Sequence, residues 1–205
     1  MPPLSPCKKS CLALGIAQSL TLATAHAATI EVTSTLDDGT ACTLREAIAT
    51  TNAGSNQSNG CTIDTNSGPL GSNDTIVFGA SVSGDTIGLN GNALSISSDV
   101  SINPAGSRTT ITANNLSRVF EIPDDSIVSL NNLIITGGNS GGNADGSPGF
   151  LLPVPGGGIA IAGQSDVTLT NSSVSGNTAS SSGGGKNPLC LQKGFFCILE
   201  RIFML

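Results

Sequence analysis

"VFEIPDDSIVSLNNLIITGGN" (Val119–Asn139) and "IAIAGQSDVTLTNSSVSGNT" (Ile159–Thr178) fall on each other when the chain is slid by 39 residues. Phe120 then meets Ile159, Ile122 meets Ile161, Val128 meets Val167 and Leu130 meets Leu169. Asn132 meets Asn171, Ile135 meets Val174 and Gly137 meets Gly176. Apolar residues two apart turn one face of a strand inward. When the same set recurs at a fixed period, the same face is being presented again. A fainter copy, "LSISSDVSINPAG" (Leu94–Gly106), places Leu94 with Ile161, Val100 with Val167 and Ile102 with Leu169. The spacing between copies is uneven, and "NSGGNADGSPGFLLPVPGG" (Asn139–Gly157) is the obvious insertion.

The same short alternation appears outside the repeat, in "TIEVTST" (Thr29–Thr35), "DTIVFG" (Asp74–Gly79), "DTIGL" (Asp85–Leu89), "TTITA" (Thr109–Ala113) and "RVFEI" (Arg118–Ile122). Gly, Asn, Asp or Pro punctuates these runs every few residues. Leu, Ile, Val and Phe make up about a quarter of the 205 residues, above the level of a disordered chain. There are six Phe but no Trp or Tyr, which suits a narrow core of stacked aliphatic side chains. The expected fold is therefore all-β: a solenoid of short, parallel-stacked strands over residues 69–185. Each coil of such a solenoid buries its apolar face only by stacking on its neighbours. The competing fold, a two-sheet sandwich of hairpins, needs regular hairpin turns, and "LNGNAL" (Leu89–Leu94) is the one tempting candidate.

"CTLREAIATTNAG" (Cys42–Gly54) breaks this pattern and reads as a helix within a cap region of residues 28–68. Thr43 is a good N-cap, with Glu46 three residues on as its capping-box partner, and Gly54 is the C-cap candidate. Leu44, Ala47 and Ile48 fall on one face. Cys61 follows the helix, and in an oxidising compartment Cys42 and Cys61 are natural disulfide partners. Zinc is the weaker alternative, because two thiols without CxxC spacing or a nearby His make a poor tetrahedral set. A solenoid ends in an open core and an exposed edge, so a one-sided helix makes a sensible lid.

The first 27 residues read as a secretory leader. Lys8 and Lys9 precede an apolar run from Cys11 to Ala25, and "AHA" (Ala25–Ala27) supplies small residues at both cleavage positions. A retained membrane anchor is the alternative. Cleavage after Ala27 removes His26, the only histidine, and with it His-based triads, bases and zinc ligation. The remaining chain is acidic, which argues against nucleic acid or anionic membranes as partners. No membrane span is expected in the mature chain, and no metal or cofactor.

"CTLREAI" resembles the CSLREA motif that follows the signal peptide in many secreted bacterial proteins with right-handed parallel β-helix repeats; Thr43 stands where serine is usual. The downstream Gly60-Cys61 is typical of the same region. "GGGIAI" (Gly156–Ile161) and "VSGNTASSSGGG" (Val174–Gly185) resemble the GGA-hydrophobic and FxxN elements of polymorphic outer-membrane protein repeats, with Val174 in the Phe place and Asn177 in the Asn place. The resemblance covers residues 28 to 185 and implies that the solenoid is a right-handed, single-stranded parallel β-helix, in a chain that is exported and displayed at the bacterial surface. Residues 186–205, "KNPLCLQKGFFCILERIFML", lose the repeat composition and are expected to stand outside the solenoid. They read as a frameshifted or truncated end, with a short amphipathic or membrane-associated segment as the alternative.

Parallel β-helices also host polysaccharide lyases and hydrolases. Asp124 and Asp125 are the carboxylates to consider for a hydrolase, and Arg108 and Arg118 the basic groups for a lyase. Each is more simply explained as a solvated turn or a coil edge. "GGNADG" (Gly141–Gly146) faintly resembles a calcium nonapeptide but occurs once, and Asn132 with Asn171 suggests an asparagine ladder inside a corner. Phe150, Leu151 and Leu152, between glycines and prolines, form the candidate contact loop. No catalytic residue is assigned. The expected role is structural or adhesin-like, toward an extracellular or cell-surface ligand such as a polysaccharide or a neighbouring surface. A lyase or hydrolase is one alternative, and a non-functional fragment of a longer surface protein is another.

Overall fold

A computed structural model describes residues 27–66, 68–123, 125–140, 156–162 and 164–178, together with the backbone of 202–204. In chain order the elements are β1 (Thr29–Val32), α1 (Leu44–Ala53), β2 (Ile63–Asp64), β3 (Asp74–Phe78), β4 (Thr86–Gly88), β5 (Leu94–Ser95), β6 (Val100–Pro104) and β7 (Thr109–Thr112). Then come β8 (Phe120–Ile122), β9 (Ile127–Asn131), β10 (Leu133–Thr136), β11 (Ile159–Ile161), β12 (Asp166–Thr170), β13 (Ser173–Val174) and β14 (Ile202–Met204).

The strands build three sheets. Their orders are β14-β12-β9-β6-β3-β1-β2, then β13-β10-β7-β4, then β11-β8-β5. From β3 to β13 the chain therefore visits the first, second and third sheet in rotation and then returns to the first. Every named pair is parallel except β1 with β2. Parallel neighbours cannot be joined by a tight turn, so a sandwich of hairpins is excluded. Asn90–Asn92 is accordingly a corner between β4 and β5, which lie in different sheets, rather than a hairpin.

The register explains the core. Ile30, Ile76, Ile102, Leu130 and Leu169 are successive partners in the first sheet, and all are buried. Ile87, Ile111, Ile135 and the half-buried Val174 are successive partners in the second sheet, as are Leu94, Phe120 and Ile159 in the third. Apart from Phe120, each column is an aliphatic side chain standing on its equivalent, and full burial of one is worth about 1.5–3 kcal/mol. Because the core is only one side chain deep from each sheet, large rings are not needed to fill it.

Three expectations are corrected by the register. Leu94 stands on Phe120, and through it belongs with Ile159, not Ile161. The residue after Ser95, Ile96, instead donates its N–H to the Glu121 carbonyl at 2.8 Å, beside Ile122. The corner from Ile96 to Val100 is shorter than that from Ile122 to Val128, and a fixed offset cannot follow such a change. The asparagine ladder lies at the outside of its corner, with Asn171 exposed. Finally, Ile202–Met204 pair in parallel with Val167–Leu169, so these three residues do not stand apart from the stacked strands. An edge strand leaves N–H and C=O groups unpaired, and an extended segment satisfies them. The rest of residues 186–205 lies outside the described residues, as do residues 1–26. β1, within the cap region, hydrogen-bonds to β3 and so belongs to the main sheet.

Candidate functional site: the N-terminal cap and a hydroxyl row

α1 runs from Leu44 to Ala53, with Thr43 as N-cap and Gly54 in the left-handed conformation at its end. Gly54 adopts φ 58° and donates its N–H to the Thr51 carbonyl at 3.1 Å, a conformation that costs glycine nothing. At the other end the reciprocal capping box is not made. The Thr43 hydroxyl donates to the Glu46 carboxylate instead of accepting from the helix backbone. Leu44, Ala47 and Ile48 are buried in the common core, and Thr50 and Thr51 are buried with them. The two buried threonines turn their hydroxyls back onto the Glu46 and Ile48 carbonyls, which hides their polarity within the helix.

Cys42 and Cys61 are disulfide-bonded, with Cα atoms 4.4 Å apart and a sequence separation of 19. The bond ties both ends of the cap segment together. Arg45, in the middle of "CTLREAI", was not singled out by sequence reasoning, yet it does most of the joining. Its Nε and Nη2 donate to the two Asp37 carboxylate oxygens at 2.7 and 2.8 Å. Its Nη1 donates to the Ala93 carbonyl at 2.9 Å, and Nη2 also reaches the Asn92 carbonyl at 2.8 Å. Asn52, two turns on, donates to the Ser95 carbonyl at 2.8 Å and accepts from the Ser97 N–H at 2.9 Å. These are the groups a further strand beside β5 would have used. Helix side chains therefore finish the open edge of the third sheet. The offsets between Asp37, Arg45 and Asn52 carried no sequence signal, because Arg45 and Asn52 also act on backbone atoms more than forty residues along the chain.

The Asp37 side chain is almost fully covered beside Arg45. Burial pushes its carboxyl upward, but the Arg45 hydrogen bond, the Asn90 N–H and the Arg45 charge outweigh burial and hold it below the usual carboxylate range.

The outward side of the first sheet carries a second feature. Thr29, Thr75, Ser101, Ser129 and Thr168 are successive register partners, all half-buried. They form a row of hydroxyls at the strand spacing of about 4.8 Å. In the second sheet Thr86 meets Thr110, and Thr112 meets Thr136. At the corner beyond, Asn171 donates to the Asn132 side-chain oxygen at 2.7 Å, and Asn132 donates to the Pro104 carbonyl at 3.2 Å. Both asparagines hold positive φ, 53° and 48°, which Asn tolerates better than most residues. Asn177 takes the Gly138 N–H at 2.7 Å and donates to the Ile135 carbonyl at 3.0 Å, bridging two successive turns of the chain.

The groups considered for catalysis are not brought together. Arg118 is buried, pairs with Glu121 at 2.9 Å and donates to the Gly156 carbonyl at 3.0 Å. Asp125 accepts the Gln164 N–H at 2.8 Å, which makes it a corner residue. Arg108 is exposed elsewhere. Asp124, the "GGNADG" segment and the contact loop Phe150–Leu152 lie outside the described residues. Among the described residues no group of three His, Cys, Asp or Glu side chains is placed to hold a metal, and no helix is long and apolar enough to cross a membrane.

The chain matches no protein-family model, and comparison with curated proteins and with solved structures gives no significant match.

Proposed function

We propose that the chain is an exported right-handed parallel β-helix module whose outward hydroxyl and amide rows form a non-catalytic, adhesin-like surface for polysaccharide. The rotation of strands through three parallel sheets, with equivalent residues stacked in register, supports the solenoid reading. The leader-like residues 1–27 and the Cys42–Cys61 bond support export into an oxidising environment.

The row Thr29-Thr75-Ser101-Ser129-Thr168 carries the functional reading. Hydroxyls donate and accept alike, and their even spacing offers the same weak contact again and again. Repetition converts weak contacts into useful avidity when the ligand repeats too. A polysaccharide is such a ligand, and it needs no charge complement from this surface.

The test is a polysaccharide panel that sets uncharged polymers such as amylose and xylan beside anionic pectin, alginate and chondroitin, read for retention on immobilised polymer and for new reducing or unsaturated ends. Retention without turnover, weakened by combining Ser101→Ala, Ser129→Ala and Thr168→Val, is the expected result. Retention unchanged in that triple variant would remove the row from the function. Turnover abolished at Asp125 or Arg118 would instead make the protein a lyase or hydrolase.

A further inference from the structure

The leader reading, part of the function proposed above, meets a geometric fact at the bond where the leader ends. Ala28 is fully buried, and its backbone nitrogen donates to Oδ1 of Asp74 at 2.9 Å. Its carbonyl accepts the Thr75 N–H at 2.9 Å, so Ala28 is gripped from both sides just ahead of β1. Asp74 opens β3 and is itself buried; its other oxygen, Oδ2, accepts the Gly71 N–H at 3.1 Å.

A buried carboxylate is costly unless a cation joins it. The described residues include three basic side chains: Arg45, Arg108 and Arg118. Arg45 is committed to Asp37 and Arg118 to Glu121, while Arg108 lies exposed, so no ion pair of the described residues reaches Asp74. The atom that does reach it is the nitrogen next to the small-residue triplet Ala25-His26-Ala27. Two independent observations therefore meet at one bond: a cleavage signal before Ala28, and a buried acid aimed at the Ala28 nitrogen.

We propose that leader removal after Ala27 turns this hydrogen bond into a buried ion pair between the Ala28 α-ammonium and Asp74, so that processing itself locks the first strand onto the sheet. Hydrolysis of the Ala27–Ala28 bond consumes one water. It leaves a carboxylate on the departing leader and an amine on Ala28 that takes up a proton. The nitrogen need not move, because it already lies at ion-pair distance from Oδ1. Before cleavage the same atom is a neutral amide, and Asp74 lacks its counter-charge. The unprocessed chain is thus the less stable form, which suits a chain that must be unfolded to cross a membrane.

The experiment starts from the exported protein, whose N-terminal residue is read by mass spectrometry. A start other than Ala28 would overturn the proposal at its cleavage site, because no Ala28 α-ammonium would form. The pairing is then tested on chains released from a removable N-terminal fusion to begin either at Ala28 or with one extra Gly before it. The extra residue is expected to raise the unfolding equilibrium constant about tenfold or more, and to have no such effect in Asp74→Asn. Equal penalties in both backgrounds would overturn the proposal. Should Asp74→Asn fail to fold, amine acylation of the unsubstituted chain decides. The Ala28 α-amine should react at least about tenfold more slowly in the folded protein than in denaturant, each rate taken relative to a free dipeptide amine in the same solution. Equal rates would show a free amine and end the idea.

Discussion

Arg45 grips Asp37 with two nitrogens, and the same guanidinium holds the two backbone carbonyls, Asn92 and Ala93, that lead into β5. One side chain thereby joins the loop before the helix, the helix itself and the corner beyond it. The planar fork of arginine fits this arrangement, and the single ammonium of lysine cannot reproduce it.

Arg45→Ala is expected to cost about 1–2 kcal/mol at pH 7, and Arg45→Lys to recover less than half of that. The pH dependence follows from the depressed Asp37 carboxyl. An acid with a folded pKa below its unfolded value stabilises above the unfolded value, about 3.9, and loses that contribution as pH falls through the folded one. The Arg45→Ala penalty should therefore be constant from pH 7 to about pH 5 and shrink below about pH 4. Urea midpoints across that range check it; a penalty that grows in acid would contradict the pair.

The Cys42–Cys61 bond closes a short loop around α1. Combining Cys42→Ala with Cys61→Ala should lower stability by about 3 kcal/mol, and peptide mapping of oxidised protein should recover the two cysteines linked. Free thiols at both positions in exported material would refute the pairing.

Gly138 lies so close to the next segment that a Cβ built on it would collide with the Gly157 carbonyl. Backbone cannot retreat as a flexible side chain can. Gly138→Ala is expected to destabilise by about 2–4 kcal/mol, while Gly71→Ala, whose Cβ would meet nothing within 4 Å, should change stability by less than about 0.5 kcal/mol. Thermal melts of the two variants distinguish a packing requirement from a general preference for glycine.

Asn132 and Asn171 combine a left-handed backbone with a side-chain bond between them. Asn171→Ala loses both and should cost about 1–2 kcal/mol, whereas Asn171→Gly keeps the backbone freedom and should cost about 1 kcal/mol or less. Equal losses by denaturant titration would show that the conformation contributes nothing.

The strands and their apolar columns were legible because Ile, Leu and Val recur at the period of the pleat, and the 39-residue offset held wherever two corners have the same length. The alignment of the fainter copy failed at Leu94, because the corner from Ile96 to Val100 is shorter than its counterparts and hydrophobicity alone does not register a corner. The helix was legible from its one-sided Leu44, Ala47 and Ile48. Arg45, Asn52 and Asp74 were not, since each acts on backbone groups or on a partner distant in sequence. The hydroxyl row was hidden for another reason: Ser and Thr are common throughout the chain, and only the register aligns Thr75, Ser101, Ser129 and Thr168.

The rotation of strands through three sheets also orders events in time. Val128 waits only for Val100 and Val167 only for Val128, each partner lying earlier in the chain. A polypeptide appearing from its amino end would present the cap first, and from β6 onward every new strand would find an edge already laid down. Growth of this kind resembles crystallisation from a seed more than the collapse of a finished chain, and it predicts that damage to the seed delays everything after it.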